Sequence, residues 1–237
     1  QLFFAASPTM TISPHVLKAM PFDPAKDVTP IAPILSYANV LVVNKDQPFK
    51  TVPELVAYAK ANPGKVAYGS AGMGASNHLS GELFAVRTGT KVQYVPYKSN
   101  VPAMTDAASG QVQLVSAFYS EVVPFISTGK LIPLGVFGAS RLPLLPNVPT
   151  MAEQGLKDLE LQSYTAYVVP TGTPVDAQRK LHAAIVKTAN QPEVMDRVKA
   201  AGGVYFDMGL EETQAWQKRI QSRWNNIVQE TGIQLDK

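Results

Sequence analysis

The segment Tyr68–His78 has the sequence YGSAGMGASNH, a run of small residues with three glycines and two serines. It follows the apolar stretch Val66–Tyr68 and precedes residues 77–87, whose pattern predicts a helix. Glycines allow a sharp turn in which several amide N–H groups converge, and a helix N-terminus adds partial positive charge. The hydroxyls of Ser70 and Ser76 add two further donors. The segment therefore predicts a loop that binds an oxyanion such as a carboxylate or a phosphate; the alternative is a tight strand-to-helix turn without a ligand.

Strand and helix patterns alternate on both sides of this segment, which is typical of an α/β fold with mostly parallel sheets. Strands are predicted at 2–6, 39–43, 66–68, 92–95, 112–115, 131–137 and 161–169. Helices are predicted at 14–19, 51–62, 77–87, 101–108, 120–128, 174–190, 192–201 and 210–230. If the chain forms two lobes, Asn39–Asn44 and Leu161–Pro170 are the best crossings. This predicts a first lobe of residues 1–43 plus 163–237 and a second lobe of residues 44–162.

The composition excludes several classes of protein. The 237 residues are 46% hydrophobic and only 16% charged, which argues against disorder. The 21 basic and 18 acidic residues give a net charge of +3 with no basic run, so no nucleic-acid partner is predicted. The absence of cysteine excludes disulfides, zinc–thiolate sites and cysteine nucleophiles. No apolar stretch approaches the roughly 18 residues of a membrane span, so the chain is not expected to be membrane-embedded.

No catalytic, metal or cofactor site is predicted from the motifs. Residues 69–72 have the wrong glycine spacing for the G-x-S-x-G nucleophile elbow, and residues 72–74 lack the third glycine of a dinucleotide fingerprint. Residues 127–130 match S-x-x-K, but the companion motifs are missing. The three histidines, at 15, 78 and 182, are too far apart to suggest a metal site or a triad.

A second polar stretch, residues 7–11, also follows an apolar strand. If it faces the first loop across a cleft, the hydroxyls of Ser7 and Thr9 join those of Ser70 and Ser76 around a small anion. Tyr164 lies in a predicted crossing strand and is a candidate for the aromatic wall of that cleft; the alternative is ordinary strand packing.

The segment 68–84 resembles the signature Y-x-S-x-G-x-G-[ST]-x-x-H-L-x-G-E-L-F of one family, the periplasmic solute-binding proteins of tripartite tricarboxylate transporters, or Bug-type receptors. Further stretches resemble V-P-Y-K-G, T-D-L-x-x-G-Q-V, G-K-L, R-x-P-x-L-P-x-V-P-T-x-x-E and P-x-G-T-P in the order of the family. They are residues 95–98, 106–112, 129–131, 141–153 and 170–174. The resemblance covers essentially the whole chain.

The resemblance implies a type II periplasmic-binding-protein fold, with two lobes and a ligand cleft between them. It also implies that a small carboxylate, either a di- or tricarboxylate or an aromatic acid, binds non-covalently and is delivered to membrane permease subunits in the periplasm. The site residues that it implies are Ser7 and Thr9 in the first lobe and Ser70, Gly72, Met73, Gly74, Ala75 and Ser76 in the second. The alternatives are a carboxylate-acting enzyme on the same fold and a ligand-sensing domain.

Two departures from the family add expectations. Family members have a further strand, helix and strand before the position of Leu2, so this sequence is expected to lack the N-terminal part of the first lobe and to contain no signal peptide. Where the family often has an acidic residue, this chain has Ala117. Because that residue would pair with a ligand ammonium, the ligand is predicted to be a carboxylate that is not an amino acid.

Overall fold

A computed structural model describes residues 1–232 and divides into two compact units. The first comprises Gln1–Ser36 and the described part of Ser163–Lys237, and the second comprises Tyr37–Gln162. The first division falls between Ser36 and Tyr37, within a long strand, whereas the sequence predicted it between Val43 and Asn44.

Helices and strands alternate along the chain as expected for an α/β protein. In chain order they are β1 (Phe3–Ala6), a π-helical turn (Pro8–Ile12), α1 (Ser13–Val16), β2 (Val28–Asn44), α2 (Val52–Ala61), β3 (Val66–Ser70), α3 (Ser76–Thr88), β4 (Val92–Pro96), α4 (Asn100–Ala108), β5 (Leu114–Phe118), α5 (Tyr119–Ser127), β6 (Leu131–Val136), a 3₁₀ turn (Ala152–Gln154), β7 (Gln162–Pro170), α6 (Val175–Ala189), α7 (Pro192–Ala200), β8 (Val204–Tyr205) and α8 (Leu210–Thr231).

In the first unit, β7 lies between β1 and β2, and β8 also pairs with β2. The pairs β1–β7 and β2–β8 are antiparallel. One side of α8 carries an apolar stripe that faces the core. Trp224 and Ile227 are buried, and Trp216 and Ile220 pack on a core of Met10, Tyr164, Ala166 and Val168.

In the second unit the strand order is β6–β2–β5–β3–β4. Strand β3 is parallel to β4 and to β5, but β2 is antiparallel to both β5 and β6. The sheet of the second unit is therefore mixed, and the two pairs named above for the first unit are antiparallel, so the expectation of mostly parallel sheets is corrected. From β3 to β6, helical crossovers join strands that run in the same direction, as the alternating pattern predicts, whereas α2 joins the oppositely directed β2 and β3. The long strand β2 is inserted between β5 and β6 in the opposite direction, and a local pattern cannot reveal that insertion.

The β2 strand is much longer than the predicted 39–43. Pro30 and Pro33 lie within it, and proline normally argues against a strand because it cannot donate to the ladder. Within the described residues 1–232, no helix combines the length and the apolar character needed to cross a membrane.

Candidate functional site

The loop between β3 and α3, residues 70–76, has the strand–loop–helix form that the sequence predicts. Gly72 has φ +111° and Gly74 has φ +79°, which is backbone geometry that side chains with a Cβ rarely adopt. Ala75 precedes the helix with extended backbone, and Ser76 is the first helical residue. The two inner glycines are therefore required by the turn itself.

Ser70 holds the loop in shape. Its side chain is 0% exposed, and its Oγ accepts a hydrogen bond from the Gly72 amide at 3.3 Å. The same hydroxyl lies 3.4 Å from the Gly72 carbonyl and 3.3 Å from the Tyr94 hydroxyl. The sequence made this hydroxyl a donor to the bound anion, but in the structure it is committed to the loop.

The remaining loop residues are accessible. Met73 is 67% exposed at the tip, and Gly72, Gly74, Ala75 and Ser76 are partly exposed. The first amides of a helix have no acceptor within the helix, and the first turn of α3 contains no acidic residue. The structure thus brings the predicted second-lobe residues together in one loop, at the positive end of a 13-residue helix.

A layer of rings lies behind the loop. The His78 and Tyr94 rings have centroids 4.3 Å apart, and Tyr68 lies 5.3 Å from Tyr94. A Cβ at Gly81 would lie 2.2 Å from the Tyr68 ring, so only glycine lets α3 approach this closely. Burial and the Glu82 carboxylate, which accepts a hydrogen bond from the Tyr68 hydroxyl, raise the pKa of that phenol above its usual value.

His78 connects this layer to the loop. The ring is 4% exposed, its Nδ1 accepts a hydrogen bond from the Gly74 amide at 3.3 Å, and its Nε2 lies 3.8 Å from Glu82 Oε1. Burial lowers the pKa of His78, and the Glu82 carboxylate partly offsets that shift. The ring thus packs against Tyr94 and holds the loop through the Gly74 amide.

A second network fixes the start of α3. The buried Asn77 donates its side-chain amide to Asn100 Oδ1, and the Asn100 amide donates to both Glu121 carboxylate oxygens at 2.9 Å. Glu121 also accepts from the Phe118 backbone amide at 3.1 Å. These contacts join the first turns of α3, α4 and α5. Sequence reasoning missed them, although an asparagine at a predicted helix start was a visible signal.

The polar stretch of the first unit differs from its prediction. Residues 7–12 form a helical turn, in which Thr11 Oγ1 donates to the Ser7 carbonyl at 2.8 Å. Ser7 is buried, and its hydroxyl has no hydrogen-bond partner among the described residues, whereas Thr9 is exposed. The Met10 carbonyl accepts from the side-chain amides of Gln217 and Gln221 at 3.4 and 3.2 Å.

Two other candidates are explained by packing within their own units. Tyr164 is 2% exposed, donates to Gln217 Oε1 at 2.6 Å and contacts Trp216 edge-on at 4.6 Å. Ordinary strand packing, the alternative stated for Tyr164, is thus what the structure shows. Ala117 is 1% exposed and belongs to the core of the second unit, beside Val40. As a ligand-binding position, Ala117 stays a prediction.

The described part of the chain contains no group of three or more histidine, aspartate and glutamate side chains placed to hold a metal ion. The chemistry available at the 70–76 loop is hydrogen bonding from its remaining backbone amides and from the Ser76 hydroxyl, since the Gly72, Gly74 and Ala75 amides already donate to Ser70, His78 and Gly72.

An α/β fold in two units is also the fold of periplasmic binding proteins of known structure. Residues 2–233 match the family described as the tripartite tricarboxylate transporter family receptor, and the chain belongs to that family.

Curated relatives support this assignment. A protein in the tcbD–tcbE intergenic region of a Pseudomonas species is 34% identical over 210 residues, covering 85% of this chain and 62% of the relative. A protein in the gbd 5′ region of Cupriavidus necator is 37% identical over 171 residues, covering 72% of this chain and 52% of the relative. The chain thus spans about half to two thirds of the length of these two proteins.

Solved structures agree with the fold. A structure described as a periplasmic transporter has a TM-score of 0.87 and 33% identity, covering 99% of this chain and 79% of that chain. The R. palustris protein Rpa4515, solved with adipate, has a TM-score of 0.83 and 29% identity, covering 98% of this chain and 77% of its own. The periplasmic binding protein BugD has a TM-score of 0.83 and 27% identity, with coverages of 98% and 78%.

Proposed function

We propose that this chain is the binding part of a periplasmic solute receptor, which holds a small carboxylate at the 70–76 loop and delivers it to the permease subunits of a tripartite tricarboxylate transporter. The observation that carries the proposal is the loop itself. Two glycines with positive φ open the backbone, and the first amides of α3 lie beside it with no acidic residue in that turn. A carboxylate at this position would accept charge-assisted hydrogen bonds and would benefit from the helix dipole.

The ligand class proposed is a di- or tricarboxylate or an aromatic acid without an amino group. Rpa4515 holds a dicarboxylate, adipate, in a related fold. An amino acid would need a carboxylate partner for its ammonium group. The carboxylate nearest in the chain to Ala117, Glu121, already accepts hydrogen bonds from Asn100 and Phe118, so its oxygens are committed.

Ser7 and Thr9 stay predictions as ligand contacts. Thr9 offers an exposed hydroxyl and Ser7 a buried one without a partner among residues 1–232. The second-unit loop therefore carries the proposal by itself.

A thermal-shift screen tests the proposal. The compounds are mono-, di- and tricarboxylates, aromatic acids, and the amino acids aspartate and glutamate. At a hundred times its Kd, a ligand adds about 2.7 kcal/mol to the free energy of unfolding. For a domain of this size that is a rise in Tm of roughly 5–10 °C. We expect a shift confined to one class of amine-free carboxylates. A preference for aspartate or glutamate would contradict the ligand class, and no shift with any carboxylate would contradict the site.

A further inference from the structure

The Gly74 amide has an unusual acceptor, the Nδ1 atom of His78, at 3.3 Å. A histidine nitrogen accepts a hydrogen bond only when it carries no proton, so this contact requires the neutral ring with its hydrogen on Nε2. We propose that His78 is a positioning residue for the 70–76 loop, and that protonation of its ring releases the Gly74 amide and weakens carboxylate binding. The effect on binding rests on the function proposed above, whereas the effect on the loop does not.

The surroundings of His78 favour the neutral ring. Tyr68 from β3 and Tyr94 from β4 lie beside it, and Glu82 is the charged group that approaches it from α3. The Glu82 carboxylate is engaged by the Tyr68 hydroxyl, and its distance of 3.8 Å from Nε2 exceeds that of a hydrogen bond. Burial is the larger influence on the ring, and it lowers the pKa of His78 below 6.5.

The loop is held from inside at two amides. Ser70 Oγ accepts from the Gly72 amide, and His78 Nδ1 accepts from the Gly74 amide. A proton on Nδ1 would place two donors against each other and leave the Gly74 amide without its acceptor. Because glycines at 72 and 74 impose little conformational restraint of their own, the loop would then depart from its binding geometry.

The positive charge of a protonated His78 ring would act on carboxylate binding in the opposite direction. An imidazolium close to a carboxylate would attract it, so acidification would strengthen binding if charge outweighed loop geometry. The direction of the pH dependence therefore decides between a positioning role and a simple electrostatic one.

Two variants isolate the acceptor atom. In His78→Asn, the side-chain oxygen stands at the same bond distance from the backbone as Nδ1, so it can accept from Gly74 without titrating. In His78→Gln, the oxygen is one bond farther along the chain. Both variants remove the ring, so packing losses affect them alike, and the comparison between them reports the position of the acceptor.

The first measurement needs no ligand. Nitrogen-15 NMR of the wild type should show the tautomer with hydrogen on Nε2, and the Gly74 amide shift should titrate together with the His78 ring. Amide exchange at Gly74 should stay slow in His78→Asn and become about tenfold faster in His78→Gln. The inference would be overturned if the Gly74 amide shift did not change as the His78 ring titrates, or if amide exchange at Gly74 were equally fast in the two variants.

The second measurement uses adipate as the probe, titrated from about pH 8 to below the pKa of His78. On acidification, the Kd of the wild type for adipate should rise about tenfold more than the Kd of His78→Asn. Adipate itself is protonated equally in both titrations, so the difference reports the His78 ring. His78→Gln should bind more weakly than His78→Asn throughout. Tighter wild-type binding at low pH would overturn the inference. If the wild type binds no adipate at any pH, the proposed dicarboxylate function fails, and the Gly74 titration alone decides the role of His78.

Discussion

Residues 7–12 in the first unit and residues 70–76 in the second begin from the same sequence pattern, an apolar strand followed by small and hydroxyl-bearing residues, yet they form different structures. The second-unit loop contains glycines with positive φ and leads into α3, whose first turn has no acidic residue. The first-unit segment has no glycine and closes into a helical turn, in which Thr11 bonds back to Ser7.

The two segments are also held by different chemistry. Stacked rings of Tyr68, Tyr94 and His78 lie behind the second-unit loop, whereas the side-chain amides of Gln217 and Gln221 hold the first-unit turn through the Met10 carbonyl. A hydroxyl-rich stretch after a strand thus forms an open loop in the segment that has glycines with positive φ and a helical turn in the segment that has none.

The largest effect on stability is expected from Gly81→Ala, which disrupts the packing of the ring layer behind the second-unit loop. The new Cβ would lie 2.2 Å from the Tyr68 ring, which is buried and bonded to Glu82 and cannot swing aside. Overpacking of this kind should exceed the gain in helix propensity and lower the free energy of unfolding by about 2–3 kcal/mol. Urea denaturation measures it, with the exposed Val86→Ala on the same helix as the control. Equal stabilities of the two variants would contradict the expected clash between residue 81 and the Tyr68 ring.

Gln217→Ala tests the corresponding support in the first unit. It leaves the buried Tyr164 hydroxyl without its 2.6 Å acceptor and removes one donor from the Met10 carbonyl. An unsatisfied buried hydroxyl should lower stability by about 1–2 kcal/mol. Denaturation of this variant beside Lys218→Ala, its exposed neighbour, gives the value. A loss no larger than in the control would mean that apolar packing alone holds the turn.

Ser70→Ala and Thr9→Ala compare the two segments as binding elements. Ser70 Oγ accepts from the Gly72 amide, so its loss should loosen the loop and weaken binding of the carboxylate found in the screen about tenfold, or 1.4 kcal/mol. The exposed Thr9 hydroxyl shapes no backbone, so Thr9→Ala should have a smaller effect, and Ser127→Ala should have none. Calorimetric titration measures all three. A larger loss for Thr9→Ala than for Ser70→Ala would place the main contact in the first unit.

The smallest effect is expected at the second unit's surface, where Arg141 Nε donates to Glu153 at 2.9 Å. This guanidinium and the Thr150 amide lower the pKa of Glu153 below 4.5. A carboxyl with a lowered pKa contributes stability above its unfolded pKa and loses it as pH falls through its folded pKa. Thermal unfolding of Glu153→Gln should therefore converge on that of the wild type in acid and differ slightly at neutral pH. A difference that grows on acidification would contradict the assigned cause.

The sequence could predict the features that depend on neighbouring residues. The β3–loop–α3 unit follows from glycine spacing and local periodicity, and the α8 stripe follows from helical repeat. The length of β2 could not be predicted, because Pro30 and Pro33 lie in its first part and the neighbours of that part, β7 and β8, lie far along the chain.

The hydrogen bonds around the 70–76 loop could not be predicted from the sequence for a similar reason. Gly74 and His78 are four residues apart, yet their bond depends on the orientation that Tyr94 gives the ring. Asn77 meets Asn100 across 23 positions, and Met10 meets Gln217 across 207. Such partners are set by packing, so a sequence pattern shows the donors and acceptors without showing which ones meet.

Both tryptophans of the chain, Trp216 and Trp224, lie on α8 in the first unit, and this divides the intrinsic optical signals of the protein. Indole fluorescence reports the first unit alone, through the edge contact between Trp216 and Tyr164. Six of the nine tyrosines, Tyr68 and Tyr94 among them, lie in the second unit, so tyrosine difference absorbance reports mainly that unit. Recording both signals in one denaturation shows directly whether the two units unfold together, since coincident curves are the mark of a single cooperative transition.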